Sequence, residues 1–209
     1  MQRKLRNLGI QIVPEGSPCD YVAAPQIIRT VKFICALARG ATAISSDFIT
    51  AVIEAGELLT PEDYPLKDTE NEKKYDIKLT KSVARAKAHR GRLLWSVAVY
   101  CTDKIRNGPE SYRSVAEANG AIFKLYRARS GTTIRPTTEE EDGGRAPEPV
   151  YLLSSMSSEE KAMWPRFKEM AEKGHMEPRV VAPDWLLDVA MAQEVRFDEK
   201  FLVENFYAE

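Results

Sequence analysis

The stretch TAISSDFITAVIEAGEL, residues 42–58, aligns without a gap on RVVAPDWLLDVAMAQEV, residues 179–195. Each copy opens with a few β-branched or small residues, then a turn, then an aspartate and a large aromatic, Phe48 or Trp185. An amphipathic segment follows in both. In the first copy Phe48, Ala51, Val52 and Ala55 fall at helical spacing, with Ser46 as N-cap and Gly56 as stop. In the second, Trp185, Val189 and Ala192 do the same. A strand, turn and helix repeated at this distance signals two copies of one domain.

Working backward from the first copy, the pattern predicts a helix at Met1–Leu8 and a strand at Gly9–Val13. A second strand follows at Tyr21–Ala24, and a helix over Thr30–Arg39 is closed by Gly40. The apolar face of that helix is Val31, Ile34, Cys35 and Ala38. Working backward from the second copy gives a strand at Trp95–Tyr100, a helix at Glu110–Asn119 and a strand at Ala121–Tyr126. The polar stretch Arg129–Pro149 reads as a mobile insertion. Val150–Leu153 is a further strand, and Ser157 with Glu160 reads as the capping box of a helix ending near Gly174. Short apolar strands alternating with helices imply a parallel sheet covered on both faces.

Composition narrows the function. The chain has 209 residues with 44% hydrophobic and 29% charged side chains, ordinary for a folded protein with enough chain for two modest cores. Three separated cysteines, Cys19, Cys35 and Cys101, give neither a disulfide framework nor a zinc-binding spacing, which points to a reducing compartment. No apolar run reaches the length of a membrane span and the opening residues lack a signal-peptide core. Glycine-rich phosphate loops and the usual nucleophile and metalloprotease motifs are missing. The two histidines, His89 and His175, lie in unrelated settings, and Glu159-Glu160 reads as charge at a helix N-terminus. An enzyme is not expected, nor a metal or other cofactor.

The net charge of −1 hides an uneven distribution. Residues 65–94 carry 9 basic and 4 acidic side chains, and Lys78–Arg92 holds 6 basic residues and no acid. Aromatic residues for stacking on bases are not interleaved there, so the segment reads as a solvated linker helix, with a nucleic-acid patch as the other reading.

The element order, closed by Pro183-Asp184-Trp185-Leu186-Leu187-Asp188, resembles the BRCT domain. The resemblance covers nearly the whole chain. It implies an α/β fold of two modules, each a parallel four-stranded sheet flanked by helices. Module one spans 1–64, a basic linker 65–94, and module two 95–209 with the insertion near 129–149. BRCT modules are interaction domains, not catalysts, and their last-helix aromatic is core.

A second segment is sharper. Arg29-Thr30-Val31-Lys32-Phe33 stands at a helix start, where phosphopeptide-binding BRCT pairs carry Arg-Thr-x-Lys. Thr30 suits an N-cap, the helix start offers free N–H groups and the positive end of its dipole, and Lys32 adds an ammonium for a phosphate. The resemblance makes Lys32 and Thr30 phosphate-binding and sets Arg29 toward peptide positions after the phosphate. Arg106, Asn107 and Leu187 match positions that line the peptide groove in the family.

With Val22-Ala23-Ala24-Pro25 and the Ala84–Trp95 linker, the chain is similar to the C-terminal BRCT pair of fungal multi-BRCT replication and repair scaffolds. That likeness implies a nuclear protein whose partner is the phosphorylated C-terminal tail of the damage-marked histone: phosphoserine, Gln, an acidic residue and a terminal apolar residue. Other phosphorylated repair proteins are further candidates. The family pattern also has a strand before the first helix, ending in Ser or Thr followed by Gly, which residues 1–8 do not contain. The expectation is a longer natural chain that supplies it, with Thr102 in the corresponding place of module two. Two other readings stay open: a phosphate-independent interaction unit, and DNA binding through Lys78–Arg92.

Overall fold

The computed structural model describes residues 1–127, 134 and 143–208. They form two compact units, the first comprising Met1–Leu93 with Asp188–Glu194 and the second Leu94–Leu187 with Val195–Glu209. In the first, helix α1 (Gln2–Asn7) is followed by strand β1 (Tyr21–Ala24), helix α2 (Val31–Ala38), strand β2 (Thr42–Ser45) and helix α3 (Asp47–Ala55). A 3-10 turn at Pro61–Asp63 leads to α4 (Thr69–Lys74) and α5 (Leu79–His89). The second unit contains β3 (Ala98–Thr102), α6 (Glu110–Ala118), β4 (Ile122–Tyr126), β5 (Glu148–Leu153), α7 (Ser158–Lys161), α8 (Trp164–Lys173) and β6 (Met176–Val181). Helix α9 (Asp184–Ala192), a 3-10 turn at Glu199–Phe201 and α10 (Val203–Phe206) complete the chain.

All four strands of the second sheet are parallel, in the order β4-β3-β5-β6. Its core is aromatic: Tyr100, Tyr126 and Phe167 meet edge to face with centroids 5.4–6.3 Å apart. Such contacts add stabilisation beyond area burial. Ile134 is buried in the same cluster. Most of the insertion read at Arg129–Pro149 lies outside the described residues, although its last two residues already belong to β5.

The first unit carries a parallel pair, β1 and β2. The strand expected at Gly9–Val13 is not formed. Gly9 adopts φ +89°, the Ile10 N–H closes back on the Leu5 carbonyl at 2.9 Å, and Ile10 packs against Leu5, Ile44, Phe48 and Val52. The physical reason is the left-handed turn at Gly9, which folds Ile10 back onto α1 and into the core.

The repeat is structural as well as sequential. Ile44 bridges antiparallel to Pro65, and Val181 bridges in the same way to Leu202. The Ser45 N–H donates to the Tyr64 carbonyl, and the Ala182 N–H to that of Phe201, each at 2.8 Å. Both copies therefore return to their edge strand over the same length of chain after the helix.

Several element boundaries moved. Ser46 sits at the N-cap of α3 without a capping bond, and the neighbouring Ser45 Oγ accepts from the Asp47 N–H at 3.2 Å instead. The strand expected at Trp95–Tyr100 runs from Ala98 because Ser96 takes φ +66°, incompatible with a pleated strand, and Trp95 is left 67% exposed. The helix expected from Ser157 to Gly174 is two helices. Pro165 at the start of α8 has no N–H to continue the ladder from α7.

Candidate phosphate-binding site

Helix α2 is buried from Phe33 to Ala38, more fully than the single face read from its spacing. VKFICALA is apolar nearly all round, and such a helix must be covered on more than one side. Strand β1 takes one side and α5 another. Between Ile27 and Gly40 the exposed residues are Thr30, Lys32 and Arg39.

The start of α2 is capped as expected. Thr30 is extended at φ −83°, ψ 149°, and its Oγ1 accepts from the Phe33 N–H at 3.3 Å. No acidic residue lies in the first turn. Lys32 stands there alone, where the helix dipole disfavours a cation. Replacing Thr30 by alanine is expected to cost about 1 kcal/mol of stability by urea denaturation, the usual worth of a lost hydroxyl cap. Burial raises the nearby Cys19 thiol above its ordinary value and Asp20 adds to this, while Arg39 and Lys32 pull it back.

The linker holds this loop in place, which the sequence reading did not anticipate. Asp68 caps α4 by accepting from the Asn71 N–H at 3.1 Å, and its second oxygen accepts from the Ile27 N–H at 2.8 Å. Hydrogen bonds from the Asn71 side chain and from these two amides hold its carboxyl below the usual range. The Arg29 guanidinium lies over the Tyr75 ring, 5.4 Å from its centroid. An aspartate one residue before a polar helical run was the available signal for the cap, but its second partner is 41 residues away.

The other groove positions lie in the second unit. Arg106 and the left-handed Asn107 (φ +69°) are exposed in the loop between β3 and α6, and Leu187 is half-buried on α9. Arg29, Thr30 and Lys32 are thus grouped at one helix start. Arg106 and Asn107 form a separate pair.

The basic segment is helical as read, but part of its charge is engaged. Lys78 pairs with Glu72 at 2.9 Å, Arg85 with Glu194 at 3.0 Å, and Lys87 donates to Thr42 Oγ1 at 2.7 Å. Among the described residues no cluster of His, Cys, Asp and Glu could hold a metal ion. Among them, too, no helix is long and apolar enough to cross a membrane.

Glu160 caps the helix start with Ser157 as read, the Ser157 Oγ accepting from its N–H at 3.3 Å, but it is more than a helix-terminal charge. It is fully buried. Its carboxylate accepts from the Thr102 and Ser155 hydroxyls, from the Ser155 N–H at 3.0 Å and from Ser157 Oγ at 2.8 Å. Burial pushes this carboxyl up, but the bonds from Ser155, Thr102 and Ser157 together outweigh it and hold it below the ordinary glutamate value. A depressed folded value stabilises the fold above the unfolded pKa of about 4.3, and the gain is lost as pH falls through the folded value. Wild type should therefore lose more stability than Glu160→Gln between about pH 4.5 and the acid limit, read by urea denaturation at each pH.

Parallel strands flanked by helices in both units, with Phe48 and Trp185 buried at matching places in the repeat, give the chain the α/β fold of tandem BRCT structures. Residues 1–66 match the family model for the Regulator of Ty1 transposition protein 107 BRCT domain. The chain is 27% identical over 203 residues to BRCT-containing protein 1 of Schizosaccharomyces pombe, covering 96% of this chain and 22% of that protein. It is 29% identical over 129 residues to human Mediator of DNA damage checkpoint protein 1, covering 62% of this chain and 6% of that one. It thus spans a small part of the relatives it matches. In fold it is similar to the BRCT5-BRCT6 domains of S. pombe Brc1, with a TM-score of 0.72, 24% identity, and coverage of 93% and 88% of the two chains. A structure of Rtt107p in complex with a phosphorylated histone has a TM-score of 0.67 and 19% identity, covering 97% of this chain and 84% of that one.

Proposed function

We propose that this pair reads a serine-phosphorylated protein tail and thereby recruits a DNA-repair scaffold to chromatin in the nucleus. The observation that carries the reading is the exposed Lys32 in the acid-free first turn of α2, beside the Thr30 cap. An ammonium, a hydroxyl and a helix start together suit a group carrying about −1.5 to −2 charges. The Rtt107p complex with a phosphorylated histone, of similar fold, supports the choice of ligand. The proposed partner is a histone C-terminal tail with phosphoserine, Gln, an acidic residue and a terminal apolar residue, and other phosphorylated repair proteins would be read by the same chemistry. Lys32 and Thr30 hold the phosphate and Arg29 contacts the residues that follow it, with Arg106, Asn107 and Leu187 as the second unit's own candidate peptide contacts. The role is binding, without catalysis or cofactor.

The test is calorimetric titration of the chain with the phosphorylated tail peptide, its unphosphorylated twin and a DNA duplex, each at two salt concentrations. Only the phosphopeptide is expected to bind. Equal affinity for both peptides would replace the reading with a phosphate-independent interaction unit. Duplex binding with a steep salt slope would move the function to α5.

A further inference from the structure

The chain contains two Asn-Gly pairs, Asn107-Gly108 and Asn119-Gly120. In such a pair the glycine nitrogen can attack the side-chain carbonyl carbon of the asparagine and close a five-membered ring. Glycine permits this because no Cβ stands in the path and its backbone turns freely, and an intramolecular attack gains its rate from proximity. The sequence makes the two pairs equivalent. Burial separates them.

Asn119 is fully buried at the end of α6. Its side-chain nitrogen donates to the Val115 carbonyl at 2.8 Å, and its own main-chain carbonyl accepts from the Leu94 N–H at 2.7 Å. The amide that would have to leave is therefore held, and water has no access to reopen the ring. Asn107 is exposed in the loop between β3 and α6, left-handed at φ +69°, and a Cβ placed on Gly108 would meet nothing within 4 Å. Among the described residues no hydrogen bond holds its side-chain amide. The glycine N–H groups do not distinguish the pairs, since Gly108 donates to the Ile105 carbonyl and Gly120 to the Glu117 carbonyl, each at 3.0 Å. The difference lies in the asparagine side chains.

We propose that Asn107 is a self-modifying site, converted with age to aspartate and isoaspartate, and that the added carboxylate beside Arg106 weakens the hold on an acidic phosphopeptide. The Gly108 nitrogen forms a bond to Asn107 Cγ, the Cγ–Nδ2 bond breaks, and Nδ2 leaves as ammonia with the proton given up by the Gly108 N–H. Water then opens the ring at either carbonyl. One water is consumed and one ammonia released, and no oxidant or cofactor enters. Both products put a negative charge next to the Arg106 guanidinium, where a peptide bearing phosphoserine and an acidic residue would meet like charge. The weakening rests on the phosphopeptide reading above. The conversion does not.

The experiment ages the full chain, wild type and Asn107→Gln, in mildly alkaline heavy-oxygen water near body temperature, with and without guanidinium chloride. Digestion in ordinary water then marks only the amides lost before cleavage. Trypsin separates the two sites, because cleavage after Arg106, Arg113 and Lys124 puts Asn107 and Asn119 in different peptides. In the folded chain Asn107 is expected to lose its amide many-fold faster than Asn119, with isoaspartate among the products. In guanidinium chloride the two rates should converge, since local structure is what protects Asn119. Calorimetric titration should show aged wild type binding the phosphopeptide a few-fold more weakly than fresh protein, and aged Asn107→Gln binding as it did when fresh. A folded chain in which Asn107 keeps its amide, or loses it no faster than Asn119, overturns the conversion. Equal affinity of converted and fresh wild type overturns the weakening. If fresh wild type binds no phosphopeptide, the reading through Lys32 fails and the weakening with it, while the peptide map decides the conversion by itself.

Discussion

Replacing Trp185 by alanine is expected to cost about 3–5 kcal/mol, the range for a large ring removed from a core that cannot collapse around it. Trp185 is fully buried. Its indole stacks on Tyr151 with centroids 3.7 Å apart and planes 14° from parallel, and its N–H donates to the Arg196 carbonyl at 3.1 Å. The Tyr151 ring has a second neighbour: the Arg179 guanidinium lies 5.7 Å from its centroid and 4.2 Å from that of Phe197. The truncation therefore removes a ring and the indole bond to the Arg196 carbonyl, and loosens the neighbours of β5 and β6. Trp185→Phe should cost about 1–2 kcal/mol, since the ring is smaller and the N–H is lost. Phe48 fills the same place in the first copy, meeting Tyr64 edge to face at 5.6 Å, so the fold accepts that side chain there. Urea denaturation followed by circular dichroism measures both. A loss below about 1 kcal/mol for the alanine variant would mean that the last helix is not the closing element of its unit.

The second large effect is on binding. Lys32→Ala is expected to weaken the phosphopeptide complex about 10- to 100-fold while changing stability by less than about 0.5 kcal/mol. The side chain is exposed, and the burial of α2 rests on Phe33 to Ala38, so folding does not need it. A charge-assisted bond to phosphate contributes roughly 1.5–3 kcal/mol, which gives the affinity change. Arg29→Ala should weaken binding less and disturb the loop more, because its guanidinium also covers Tyr75. Calorimetric titration with matched phosphorylated and unphosphorylated peptides, run beside thermal melts, separates the two contributions. If Lys32→Ala binds the phosphopeptide as wild type does and melts at the same temperature, α2 is not where phosphate is held.

The repeat of 42–58 in 179–195 was legible because it rests on local periodicity: a strand, a turn and a helix whose aromatic must face inward. From it came the two-module α/β fold, the parallel strands and the core role of Trp185. The capped start of α2 was legible for the same reason, since Thr30 and Phe33 are three residues apart and the bond between them is local.

What sequence could not show is what depends on neighbours distant in the chain. Gly9–Val13 has the residues of a strand, but Ile10 is drawn instead into the core with Ile44, Phe48 and Val52. The linker read as solvated because its composition is polar, yet Asp68 reaches back to Ile27, and α5 covers α2. Glu160 read as the capping-box partner of Ser157 and a charge at a helix start. Its burial was decided by Thr102, 58 residues earlier, at the end of a strand that only the sheet brings beside it. Spacing along the chain determines which face a residue occupies, and the tertiary structure alone determines what stands opposite that face.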